Sequence, residues 1–246
     1  MSIPTHTASQ SEAIAKRYGL EAVPESVRRL GQMVSRPDAT TEEIARLIGQ
    51  DKDFTARLLR AANPRATDPE DYTTTTVEDA LQRTGMGMAL LLAMHDPLLR
   101  AVTKTFHTMA GLDLQAVAVP VVPGGERVVC EIAFAGKATG SAALSLTRPN
   151  AFQIASQMLG TPPDELGDES ESVIDDVIGE LGNMVVGNFK SNLCDAGLDC
   201  KLAPPVIKRT SNHKTLATPG GLSERIGFNA PNFELMADLN VNPWDD

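Results

Sequence analysis

Apolar positions in the first hundred residues recur every three or four places, the period of helices that pack through one stripe. In "PESVRRLGQMV" (24–34) Pro24 stands at a helix start, and Val27, Leu30 and Val34 share a face. "TTEEIARLIGQ" (40–50) follows, with Thr40 or Thr41 as cap, acids in the first turn, and Ile44, Leu47 and Ile48 turned inward. "DKDFTARLLRAANP" (51–64) supplies Phe54, Leu58 and Leu59 before Pro64 stops it. After the polar stretch "PRATDPEDYTTTT", helix resumes at a Thr cap in "TVEDALQRTG" and ends at Gly85. "MGMALLLAMHDPLLRAVTKTFHTMAG" reads as one long helix or as two, the second capped by Asp96 with Pro97 at its first position.

From about Asp113 the period shortens to two. "LQAVAVPVVPGGERVVCEIAFAGKATGSAALSLT" alternates around two turn signals, "PGG" (123–125) and "GKATG" (136–140). A helix "PNAFQIASQMLG", an acidic linker "TPPDELGDESES" and a long helix over about 171–193 come next. The strands "CKLAPPVIKRT", "SERIGFNA" and "FELMADLNV" close the chain. That order predicts an all-helical domain over 1–96 and an α+β domain with an antiparallel sheet over 97–246, divided near Pro97.

Hydrophobic residues make up 42% of the 246 and charged residues 22%, the balance of a globular chain. The net charge of −10 falls mostly beyond residue 100 and leaves no basic cluster to neutralise phosphates, so no nucleic-acid partner is expected. The longest apolar run, "MALLLAM", is far short of the roughly 20 residues of a membrane span. The opening "MSIPTHTASQSE" lacks the basic-then-apolar profile of a signal peptide. These features predict a cytoplasmic protein without a membrane partner. Cys130, Cys194 and Cys200 form no CxxC pair and read as reduced packing residues.

The long helix holds Gly179, Gly182 and Gly187, each costing about 0.5–1 kcal/mol relative to alanine in a helix interior. Ile174, Val177, Ile178, Leu181, Val185 and Phe189 fall on one stripe, and Asp176, Gly179, Glu180, Asn183, Gly187 and Lys190 on the opposite side. Glu180 and Asn183, at i and i+3, are neighbours there. Gly179 and Gly187 flank them and would let a partner's backbone come close, whereas Gly182, at the core edge, suits close packing. A merely solvated face is the alternative reading of the same pattern.

Asp176, Glu180, Asn183 and Pro205 fit the arrangement D-x3-E-x2-N-x21-P. With "GELGNMVVGNFKSNL", "GKATGSAALSL" and "LAPPVI", this resembles the CheC, CheX and FliY family of bacterial chemotaxis phosphatases over about 97–241. The other helices of that region lack a second E-x2-N pair, which makes the resemblance CheX-like. It implies dephosphorylation of a response-regulator receiver domain such as CheY, which carries its own Mg²⁺, with no cofactor on this chain. It also implies that Asn183 holds the attacking water and that Glu180 docks against a receiver lysine. Asp176 and Pro205 would shape the helix start and the following strand, and a homodimer through the sheet is plausible for such relatives. The alternative function is a non-catalytic adaptor for a receiver or a motor-type partner.

Val23-Pro24, "EEIARLIGQD", "TARLLRAAN" and "TVEDAL" resemble the start of the HDOD domain, a helical signalling module, up to about residue 95, so the amino-terminal domain reads as a truncated HDOD-like unit. His95-Asp96 spells an "HD" dipeptide, but with only His6, His107 and His213 besides, no metal site is expected. Gly124-Gly125 and Gly220-Gly221 lack a Walker pattern and read as turns.

Overall fold

Helix ends in the amino-terminal half are set by side chains that satisfy the first free N–H groups. At α2 (Thr41–Ile48) the Thr40 hydroxyl accepts from the Glu43 N–H at 3.2 Å, while the Glu43 carboxylate accepts from the Thr40 N–H at 3.3 Å. That reciprocal pair makes Thr40 the cap rather than Thr41. Thr40→Ala is expected to cost about 1 kcal/mol and to lower the melting temperature by about 2–4 °C, as read by calorimetry.

The computed structural model describes residues 25–34, 36, 38–117, 125–162, 170–211 and 221–242. Pro24, His6, His213, most of the acidic linker, and most of the "PGG" and Gly220-Gly221 turns lie outside them. Helices α1 (Glu25–Val34), α2, α3 (Lys52–Ala62) and α4 (Val77–Thr84) enclose a core of Val27, Leu30, Ile44, Ile48, Phe54, Leu58 and Leu81. Buried Asn63 staples the loop after α3: its amide donates to the carbonyls of Leu59 and Thr74 at 2.8 Å, and its oxygen accepts from the Thr73 and Thr74 N–H groups at 3.0 Å.

The segment with two sequence readings is a single helix, α5 (Met86–Ala110), and the division placed near Pro97 falls inside it. Asp96 does not cap a second helix but pairs with Arg57 of α3 at 2.9 Å. One side of α5 sends Ala89, Leu92 and Ala93 into the helical core, and the other sends Leu90, Leu91, Met94, Leu98, Val102 and Phe106 into a second core. Each large apolar side chain buried there is worth about 1.5–3 kcal/mol, which together outweighs the roughly 3 kcal/mol that proline costs inside a helix. Two packing faces thus keep the helix whole.

The second core lies beneath an antiparallel sheet. Its strands are β1 (Gln115–Val117), β2 (Arg127–Gly136), β3 (Gly140–Thr147), β4 (Cys200–Leu202), β5 (Val206–Thr210), β6 (Leu222–Ala230) and β7 (Phe233–Val241). They run in the order β1-β6-β7-β3-β2-β4, with β5 also pairing to β2. The strand expected over "CKLAPPVIKRT" is therefore two, each holding a different end of β2. Pro204 and Pro205 have no N–H for the ladder, so the chain leaves the sheet between them. Helices α5, α6 (Arg148–Leu159) and α7 (Ser170–Asp195) pack on one face, against Val128, Cys130, Ile132 and Phe134 of β2 and Leu144 and Leu146 of β3. Phe134 meets Phe189 edge-on at 5.9 Å between ring centroids.

The far end of α7 reaches back into the amino-terminal half. Ala196, just past its last turn, is wholly buried in the helical core, and a Cβ on Gly31 of α1 would overlap the Ala196 carbonyl oxygen. No helix among the described residues is long and apolar enough to cross a membrane.

Candidate functional site

The six apolar residues of the α7 stripe, from Ile174 to Phe189, are all buried. Glu180 and Asn183 are both exposed, and neither makes a hydrogen bond or ion pair among the described residues. Asp176, one turn before Glu180, is exposed as well, and Lys190 is half-buried. A carboxylate and a carboxamide thus stand side by side with their hydrogen-bonding capacity unspent.

Their flanks differ from the sequence expectation. Gly179 is buried rather than open: a Cβ there would lie 3.8 Å from Pro205 Cγ and 4.0 Å from Ile207 Cδ1. Once the prolines lift the chain off the sheet, it climbs beside α7 and covers this glycine. Pro205 therefore forms a shoulder one residue before Glu180, bringing the distant member of the motif to the site. Gly187 is the open step, with nothing within 4 Å of an added Cβ. Gly182 sits so close to β2 that a Cβ would overlap Cys130 Sγ. Burial pushes the Cys130 thiol up to about 11, so this sulfur stays protonated and serves as packing.

Several side chains that the sequence did not single out hold α7 in place. Arg209 of β5 donates to Asp175 (Nη2 to Oδ1, 2.7 Å) and to Glu171 (Nε to Oε2, 3.0 Å), while Arg148 at the start of α6 donates to the other Glu171 oxygen (Nε to Oε1, 2.9 Å). Asn188 donates to Thr105 Oγ1 at 3.0 Å and Asn192 to the Pro97 carbonyl at 3.2 Å, tying the helix to α5. Acids in the first turns of α7 were visible in the sequence, but their arginine partners lie 23 to 38 residues away and leave no periodic trace.

The Arg148 guanidinium, and after it that of Arg209, hold the Glu171 carboxyl below the usual carboxylate range despite opposing desolvation. A depressed folded-state value means these ties are at full strength above the ordinary carboxylate range and are lost as pH falls through the lowered value. Protection of the α7 amides beyond its first turn, relative to the intrinsic exchange rate at each pH, is expected to hold above the ordinary carboxylate range and to fall in stronger acid. Arg209→Ala should bring that loosening to higher pH.

His95 and Asp96 are engaged by separate protein partners. His95 Nδ1 meets Glu224 Oε1 at 2.7 Å, Asp96 pairs with Arg57, and the described residues contain no group of three or more potential ligands.

Comparison with known proteins places both halves. Residues 128–223 match the family model for the chemotaxis phosphatase CheX, and residues 20–119 match the HDOD domain. CheX from Vibrio vulnificus is 25% identical, over 61% of this chain and 96% of its own, with a TM-score of 0.52. A CheX–CheY–BeF3–Mg²⁺ complex from Borrelia burgdorferi matches at 19% identity over 61% and 97%, TM-score 0.52. CheX from Desulfovibrio desulfuricans matches at 22% over 61% and 99%, TM-score 0.51. No curated protein matches the sequence.

The chain has a carboxy-terminal domain of the CheC/CheX/FliY chemotaxis phosphatase family. The chain joins it to an amino-terminal HDOD domain, and the HDOD match runs to residue 119, past the expected end near 95 and through all of α5.

Proposed function

We propose that this protein removes the phosphoryl group from the aspartyl phosphate of a response-regulator receiver domain. The observation that carries the reading is the exposed pair Glu180 and Asn183, unpartnered among the described residues, on a helix fixed from several sides. Phosphoryl transfer asks a protein mainly for positioning and charge stabilisation, so a carboxamide that orients water is sufficient equipment. Asn183 would accept from and donate to a water in line with the bond that breaks. The water oxygen attacks phosphorus, the aspartyl carboxylate leaves with the electron pair, and the water proton passes to the phosphate formed.

Glu180 would pair with a lysine beside the phosphorylated aspartate, setting the register in which Asn183 reaches the water. The Pro205 shoulder limits approach on one side and Gly187 admits the partner's backbone on the other. Asp176 and Pro205 act on the helix and its neighbouring loop rather than on the substrate. Mg²⁺ would come with the receiver; the Borrelia complex unites CheX with CheY, BeF3 and Mg²⁺. A homodimer through the sheet edge remains part of this proposal.

A screen of phosphorylated receivers from the same genome tests the reading. One receiver is expected to lose its phosphate faster in the presence of the chain. Binding to a receiver that leaves its phosphoryl lifetime unchanged would instead make the chain an adaptor.

A further inference from the structure

The six residues from Leu202 to Ile207 are all apolar, and none of them is buried: Ala203, Pro204 and Val206 are exposed, and Leu202, Pro205 and Ile207 are half-buried. Val206, at 51% exposure, is one of two exposed large hydrophobic residues among the described ones. An apolar run of that length left in water is unfavourable on a folded surface unless something covers it.

The course of the run places it beside the Glu180 and Asn183 face. Leu202 stands opposite Phe134 in the register of β2 with β4, and the Phe134 ring meets Phe189 of α7. Three residues on, Pro205 Cγ lies 3.8 Å from where a Cβ on Gly179 would be. The segment therefore runs antiparallel to α7, from the level of Phe189 to that of Gly179, and Asn183 lies between. Gly179 and Asn183 are i and i+4 neighbours on one side of the helix, so Ala203 and Pro204 pass along the flank of Asn183. Val206 turns elsewhere: Ile207 aims its Cδ1 at Gly179, and successive residues of a strand point to opposite faces.

The backbone of this ledge is already committed. The Ala203 N–H donates to the Ala133 carbonyl at 2.9 Å, and Pro204 and Pro205 have no N–H. These three residues offer no donor to a further strand, so a second copy of the chain cannot extend the sheet through them. What they present is an apolar surface held by two fixed φ angles, which loses little freedom when it is covered.

We propose that Ala203 and Pro204 form the apolar flank of the receiver-docking surface and seat an apolar side chain on the lip of the receiver's phosphorylation pocket. This inference rests on the phosphatase reading and deepens it. A receiver that takes Asn183 into its pocket must surround the α7 ridge, and on the Gly179 side its wall meets the ledge. Glu180 and Asn183 address a lysine and a phosphoryl group, whereas the ledge accepts an apolar lip and rejects a charged one, so it selects among receivers.

Fluorescence anisotropy with a receiver that the wild-type chain binds, loaded with beryllofluoride and Mg²⁺, tests the proposal on Pro204→Glu, Pro204→Lys and Val206→Lys. Both Pro204 variants are expected to bind about tenfold or more weakly, whichever the sign of the new charge, because either charge must be desolvated against an apolar partner. Val206→Lys, on the other side of β5, should bind as wild type does. Both positions are exposed, and the melting temperature verifies that the fold is kept. Phosphate release by the Pro204 variants should recover as the chain concentration is raised, which a displaced α7 would not allow. Wild-type affinity in the Pro204 variants, opposite effects of Glu and Lys, a loss in Val206→Lys as large as theirs, or a loss of self-association in place of receiver binding would overturn the ledge and leave Asn183-dependent release standing. A wild-type chain that binds no phosphorylated receiver from its genome would overturn both readings.

Discussion

Gly31→Ala is expected to destabilise the protein by about 3 kcal/mol, the upper end for overpacking a filled site, and to lower the melting temperature by about 6–12 °C. The added methyl group would overlap the Ala196 carbonyl oxygen, with the Ala196 carbon and Leu198 Cγ each at 3.2 Å. A clashing side chain could rotate away, but a backbone carbonyl at the end of α7 cannot. Relief requires α1 to lift from the helix that carries Glu180 and Asn183, and Ala196 to leave the helical core. Gly187→Ala is the control: with nothing within 4 Å of the new methyl, it should be neutral or stabilise by up to about 1 kcal/mol. Scanning calorimetry on the two variants reads both. An unchanged melting temperature for Gly31→Ala would mean that the HDOD half is not seated on the end of α7.

Glu180→Ala and Asn183→Ala should fail in different ways. In the proposed complex Glu180 makes a charge-assisted hydrogen bond, worth about 1.5–3 kcal/mol, so its loss should weaken binding to a receiver loaded with beryllofluoride and Mg²⁺ by roughly 10- to 100-fold. Asn183 acts on the water, which the beryllofluoride state does not turn over, so Asn183→Ala should bind nearly as well as wild type. Its deficit belongs in turnover, on the order of 100-fold, as for other single preorganising hydrogen-bond groups. Fluorescence anisotropy with a labelled receiver separates the two. Both side chains are exposed and unpaired among the described residues, so neither variant should alter the melting temperature. Equal binding loss in both variants would remove the division of roles.

Much of the fold was legible because local signals agreed with the tertiary structure. Thr40, Asp51 and Thr76 cap the helices that the apolar stripes predicted, and the α7 stripe from Ile174 to Phe189 is buried as its period required. Other features were hidden because they depend on contacts distant in the chain. A proline normally argues for a helix break, yet Pro97 lies within α5, where packing into two cores outweighs its local cost. Pro204 and Pro205 had the converse effect, splitting an apparently continuous strand and carrying Pro205 onto Gly179. That excursion is why helical geometry alone placed Gly179 on an open face, and why it is covered. The polar pair was readable from spacing, whereas the Arg209 and Arg148 ties that steady its helix exist only once β5 and α6 lie beside α7.

The account rests on Asn183 acting on a receiver's phosphoryl group from the exposed side of α7. Its most direct test is single-turnover phosphate release from a radiolabelled phosphorylated receiver, with wild type or Asn183→Ala in saturating excess and the spontaneous rate measured alongside. The account predicts release well above the spontaneous rate for wild type and close to it for Asn183→Ala. Accelerated release that survives intact in Asn183→Ala would contradict it.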